Sequence, residues 1–129
     1  MDGNSDGMSQ SYISLGRAKA LVEEIVTTSA PGTRNAMSGS TCTYLDSKGH
    51  RCIVGEVLHR MKMPPPEWNG AFEAYGDSGV AYPYINKGYM SSTTAEWLGR
   101  LQGFFDGDTE ATPTWRAALK AAKRDGLFS

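Results

Sequence analysis

The stretch Thr41 to Met61, TCTYLDSKGHRCIVGEVLHRM, decides the fold, because alternation, turn chemistry and helical period follow one another in it without a gap. Thr41, Thr43 and Leu45 alternate with Cys42 and Tyr44. Asp46-Ser47-Lys48-Gly49 is a turn signal, and His50 to Ile53 reads as a returning strand, so a β-hairpin is expected over 41–53. Val54, Val57, Leu58 and Met61 then fall at helical spacing. Pro64-Pro65-Pro66 stops the helix they form, which is placed at 54–62.

Upstream, Leu15, Ala18, Leu21, Val22, Ile25 and Val26 make one apolar stripe opposite Arg17, Lys19, Glu23 and Glu24, which predicts a helix over 12–28 ended by Pro31-Gly32. Residues 1–10 hold little to bury and read as a flexible leader. Downstream, Trp68, Phe72 and Tyr75 suggest a short helix at 66–75, and 76–91 has no period and reads as an aromatic loop. Thr93 and Glu96 form a capping-box pattern before Trp97, Leu98, Leu101, Phe104 and Phe105, predicting a core helix over 94–105. Thr112-Pro113 opens a last helix over 113–125, closed by Gly126. The expected fold is α+β: one small domain over 11–129, in which a two-stranded hairpin packs with about four or five helices.

At 129 residues with 40% hydrophobic and 21% charged positions, the chain suffices for one core without metal or disulfide staples. It contains no apolar run long enough to span a bilayer and no basic-then-apolar leader, so a cytoplasmic protein is expected. The net charge of −1 argues against binding nucleic acid by bulk electrostatics. The charge is unevenly placed, however. Residues 67–110 are acidic, while the tail from Ala111 carries Arg116, Lys120, Lys123 and Arg124 against Asp125 alone.

Cys42, His50, Cys52 and His59 are metal-competent, but C-x7-H-x-C-x6-H lacks the close ligand pairs zinc uses, so no metal is expected. The two cysteines lie on opposite strands of the expected hairpin, near disulfide distance. A reducing compartment favours reduced, partly buried thiols. Asp77, Asp106, Asp108 and Glu110 read as turn residues rather than paired catalytic carboxylates, and no phosphate-binding glycine loop is present. Neither a catalytic constellation nor a cofactor is expected; an unrecognised enzyme, with its titratable groups around Cys52, His50 and His59, is the last of three functional readings, after protein binding and nucleic-acid binding.

Two surfaces are left for binding. Tyr82, Tyr84 and Tyr89, with Trp68, are of the type that anchors protein interfaces, and Glu73 and Asp77 beside them would steer a basic partner. Arg116, Lys120, Lys123 and Arg124 on the last helix offer an alternative, phosphate-binding face for nucleic acid.

Cys42, Tyr44, Gly49, Cys52, Val54, Gly55 and Leu58, with Trp115, Ala118 and Leu119 in the last helix, resemble a group of small uncharacterised proteins of actinobacteria and their phages. These pair a C-x-Y…G…C-[IL]-V-G-x-x-L block with a C-terminal helix built on an aromatic, Ala and Leu. The resemblance implies no activity or cofactor. It implies origin: a phage-encoded, non-catalytic accessory protein that engages a host protein.

Overall fold

The structure, a computed structural model, describes residues 12–35, 37–38, 41–42, 49–63, 82–107 and 112–129. Helix α1 spans Leu15–Thr28. Ser14 caps it, its hydroxyl accepting from Arg17 N at 3.1 Å, and Ala18, Leu21, Val22, Ile25 and Val26 are buried as the stripe predicts. Burying each of the larger aliphatics contributes about 1.5–3 kcal/mol, so this face alone fixes α1 against its neighbours.

The hairpin is not formed, and the fold is mainly helical rather than α+β. The one ladder among the described residues joins two-residue strands, β1 (Met37–Ser38) and β2 (Thr41–Cys42), antiparallel with Met37 opposite Cys42 and Ser38 opposite Thr41. Thr41 thus pairs backwards, not with the segment after the turn. Residues 43–48, which include the predicted turn up to Lys48, lie outside the described residues, and Gly49 has a positive φ of 86°. Arg51 and Cys52 lead directly into helix α2, Ile53–Arg60. The physical reason is local. Cys52 is the N-cap, extended at φ −77° and ψ 172°, and its Sγ accepts from Gly55 N at 3.4 Å. The next amide, Ile53 N, donates to Asn35 Oδ1 at 2.8 Å and is therefore not free for a strand partner. An extended cap followed by a buried isoleucine gives the same alternation as a short strand.

Helix α3 is a short helix, Tyr82–Asn86, where the sequence reads as a loop. Helix α4, Ser92–Asp106, starts two residues earlier than expected. Its cap is Ser91, which accepts from Thr94 N at 3.2 Å, rather than Thr93 with Glu96. Helix α5, Trp115–Arg124, is capped by Thr114, accepting from Ala117 N at 3.2 Å, rather than by Thr112. The expected helix at 66–75 and the leader 1–10 lie outside the described residues.

α4 is the centre of the molecule and packs against α1, α2, α3 and α5. Trp97, Leu98, Leu101 and Phe105 are buried, and Phe104 packs partly buried against the same core. α5 lies beside it and beside α1, with Trp115, Ala118, Leu119 and Ala122 inward. Past α5, Gly126 at φ +86° turns the chain back. Leu127 O then accepts from Trp97 Nε1 at 2.8 Å, and Phe128 meets the Trp97 ring edge-on at 5.3 Å.

Candidate functional site

Four elements meet at a buried polar cluster that the sequence reading missed. Asn35, on the segment after α1, accepts with Oδ1 from Ile53 N and from Trp115 Nε1, each at 2.8 Å. It donates from Nδ2 to Asp106 Oδ1 at 2.7 Å, and Gln102 Nε2 donates to the same oxygen at 2.6 Å. All four side chains are buried. Asn35 thereby ties the start of α2, the end of α4 and the start of α5 together. The neighbouring backbone reinforces the junction: Trp115 N donates to Thr33 O at 2.7 Å, Arg34 pairs with Thr114 as a bridge, and Arg34 Nη1 donates to Thr112 O. Asp106 Oδ2 and Gln102 Oε1 are buried without a hydrogen-bond partner among the described residues. The sequence signal is the pair Gln102 and Asp106, i and i+4 on the apolar side of α4, of which Asp106 alone reads as turn composition.

Of the metal-competent residues, the Cys42 side chain lies outside what the structure describes, and His50, Cys52 and His59 form no metal-holding group. His50 and His59 are exposed, Cys52 is fully buried, and no group of three or more His, Cys, Asp or Glu is placed to hold a metal among the described residues. Cys52 is disulfide-bonded, which corrects the expectation of reduced thiols in a chain with two cysteines. The Sγ is fixed at the mouth of α2, where it also caps Gly55 N. A bond of this kind removes unfolded-state freedom, about 2–4 kcal/mol in typical cases.

Of the proposed aromatic surface, Trp68 lies outside the described residues and Tyr82 opens α3. Tyr84 is only 5% exposed and belongs to the core, while Tyr89 packs partly buried against it, the two rings 6.0 Å apart. Tyr84 O accepts from Tyr89 N at 2.9 Å, and Tyr89 O from Ile13 N at 2.8 Å, so this turn anchors the residues leading into α1. Sequence composition did not reveal this, because one apolar flank on a five-residue helix leaves no period to read. Tyr84 is accordingly removed from the candidate contact surface. Burial pushes its phenol above the ordinary range, and Tyr89 pushes it further in the same direction. In the unfolded chain the phenol ionises near pH 10, whereas the folded protein holds it neutral. The stability it contributes is therefore complete below about pH 10 and is lost as pH rises beyond that. Tyr84→Phe should flatten the alkaline fall in melting temperature between about pH 9 and 11. An unchanged alkaline profile would show that another group governs it.

The basic face of α5 is exposed as the sequence suggests, but its four cations are not equivalent. Arg116 Nη2 donates to Ser29 O at 3.0 Å at the end of α1, and Lys123 Nζ pairs with Glu23 at 2.8 Å and lies 6.0 Å from the Phe128 ring. Lys120 and Arg124 are exposed and make no ion pair among the described residues. On the other flank of α1, Arg60 pairs with Glu56 at 3.0 Å and with Glu24 at 3.8 Å, and Arg51 reaches Glu56 at 3.6 Å. Next to Arg60 a shallow cleft of about 280 Å³ is lined by Arg17, Arg60, Met61 and Lys62. A second, about 240 Å³, lies between α1 and α4 with Lys19, Glu96, Trp97 and Arg100 in its wall; there Lys19 Nζ donates to Ser129 O at 3.1 Å.

This geometry is a helical scaffold on whose described surface Lys120 and Arg124 stand outside any described ion pair, as do the carboxylates Glu96 and Asp125. No known protein family, curated protein or solved structure matches the chain. No helix among the described residues is long and apolar enough to cross a membrane.

Proposed function

We propose that the protein acts by non-catalytic binding of another protein, and that the contact is made by the outer face of α5 against an acidic surface. One observation carries this reading: Lys120 and Arg124 make no ion pair among the described residues, on a helix that is otherwise immobilised. Trp115, Ala118, Leu119 and Ala122 are buried beneath it, and Arg116 and Lys123 are tied to α1. Charges held on a rigid element lose little entropy on binding, and such charges set association rate and choice of partner. The resemblance to phage-encoded accessory proteins supports a host protein as that partner.

Nucleic acid is the second reading, on the same cations. It is the weaker one, because two of the four residues are already engaged within the protein, and a net charge of −1 adds no long-range attraction. Charge reversal separates the two. Lys120→Glu with Arg124→Glu is expected to abolish capture of a partner protein from nuclease-treated host lysate, with the melting temperature within about 2 °C of wild type. Capture unaffected by both reversals would remove α5 as the contact surface. Binding to an oligonucleotide with a steep salt dependence would replace this reading with the second.

A further inference from the structure

The cleft beside Arg60 holds two cations that the local backbone rules disfavour. Lys62 is the residue after the last turn of α2 and has φ +59°, alone among the described non-glycine residues in adopting a positive φ. The turn it makes is a helix-ending one, with Lys62 N donating to His59 O and Met63 N to Leu58 O, each at 3.0 Å. Glycine occupies this position without strain, whereas a side chain there costs about 1 kcal/mol. Arg17 sits in the first turn of α1, where the helix dipole is positive and no acidic residue offsets it. The amides of Leu15 and Gly16 precede the first intrahelical bond, Ala18 N to Ser14 O at 2.9 Å, and Arg17 N is taken by Ser14 Oγ. They add to the positive potential at that helix end.

Two cations are thus placed at a cost by two different elements, and both line the same cleft, with Arg60 as a third. Arg60 is held in place by Glu56 and Glu24, and Glu56 is shared with Arg51. Four cations, Arg17, Arg51, Arg60 and Lys62, stand against two carboxylates, Glu24 and Glu56, which leaves a local excess of two positive charges. Departures from local preference that converge on one spot are the mark of a functional site rather than of the fold.

We infer that the cleft formed by Arg17, Arg60 and Lys62 is a binding site for a phosphate-type dianion. The Arg17 guanidinium, the Lys62 ammonium and the part of the Arg60 guanidinium that Glu56 and Glu24 do not take supply charge-assisted donors to one cleft, and a dianion answers the local excess of two positive charges. Met61 forms the apolar wall, which suits a small phosphomonoester with a short carbon body.

The test is titration of the full chain with inorganic phosphate at constant ionic strength, followed by nitrogen–proton correlation spectra. Saturable shifts are expected at the Arg17 and Arg60 Nε–H signals and at the Lys62 amide. Arg17→Gln should weaken binding about tenfold, the loss of one charge-assisted contact. Lys62→Gly should weaken it similarly while raising the melting temperature, since the strained turn is relieved; that gain shows the variant is folded. Lys87→Gln, an exposed cation outside the cleft, should bind as wild type. Shifts that do not saturate, or equal losses in Arg17→Gln and Lys87→Gln, would reduce the effect to diffuse attraction and overturn the site. Two further arms identify the source of the phosphate. Glycerol 3-phosphate binding at least as tightly as inorganic phosphate supports the small monoester. Tighter binding of oligothymidine, lost in Arg17→Gln, keeps the site and assigns it to a nucleic-acid backbone.

Discussion

Asn35→Ala is expected to lower the unfolding free energy by about 3–5 kcal/mol, read as a shift of the urea midpoint at unchanged slope. The substitution removes the one acceptor shared by Ile53 N and Trp115 Nε1, leaving two buried donors unpaired, and each costs roughly 1–3 kcal/mol. It also removes one of the two donors to Asp106 Oδ1, next to a carboxyl whose other oxygen is already without a partner among the described residues. A small domain has about 5–15 kcal/mol in total, so the variant should be marginal at 37 °C. Asn35→Asp separates the contributions. It keeps an acceptor for Ile53 N and Trp115 Nε1 but places an acceptor where Nδ2 donated to Asp106, 2.7 Å away. Asn35→Ala within about 1 kcal/mol of wild type would mean that water replaces the amide and that the cluster is not what joins α2, α4 and α5.

Phe105→Ala should cost about 3–5 kcal/mol, the range for truncating a fully buried aromatic, and Phe105→Leu distinctly less. Phe105 has no solvent exposure and is the largest of the fully buried side chains among the described residues, on the helix that packs against the four other described helices. No single neighbour can close the gap without leaving a second one, so the cavity should persist and add to the lost transfer energy. It also precedes Asp106, so a backbone shift that fills the cavity displaces the carboxyl to which Asn35 and Gln102 donate. The two sites are therefore coupled, and the effect of Phe105→Ala in the Asn35→Ala background should differ from its effect in wild type by about 0.5 kcal/mol or more. Strict additivity in the double-mutant cycle would show that core and polar cluster relax independently.

Helices α1, α2, α4 and α5 were determined by the sequence alone, because the signal for them is local. Leu21, Val22, Ile25 and Val26 recur at the helical period, as do Leu98, Leu101 and Phe105, and Gly107 and Gly126 close their helices at φ +72° and +86°. The basic outer face of α5 was legible for the same reason: once the apolar side of a helix is known, its opposite side is known. What only the tertiary structure decided is where non-periodic residues spend their hydrogen bonds and charges. Arg51-Cys52-Ile53 alternates like a strand, yet it enters a helix because Asn35, eighteen residues earlier, takes the Ile53 amide. Tyr84 reads as a loop aromatic, but the turn it shares with Tyr89 lies against the core. Asp106 looks like part of a turn, and its carboxyl instead faces Asn35, 71 positions away. Arg17 and Lys62 come to one cleft from two helix ends. Contacts at these separations depend on how the helices pack, and a residue that appears once, rather than at a period, leaves no local trace of the partner it will meet.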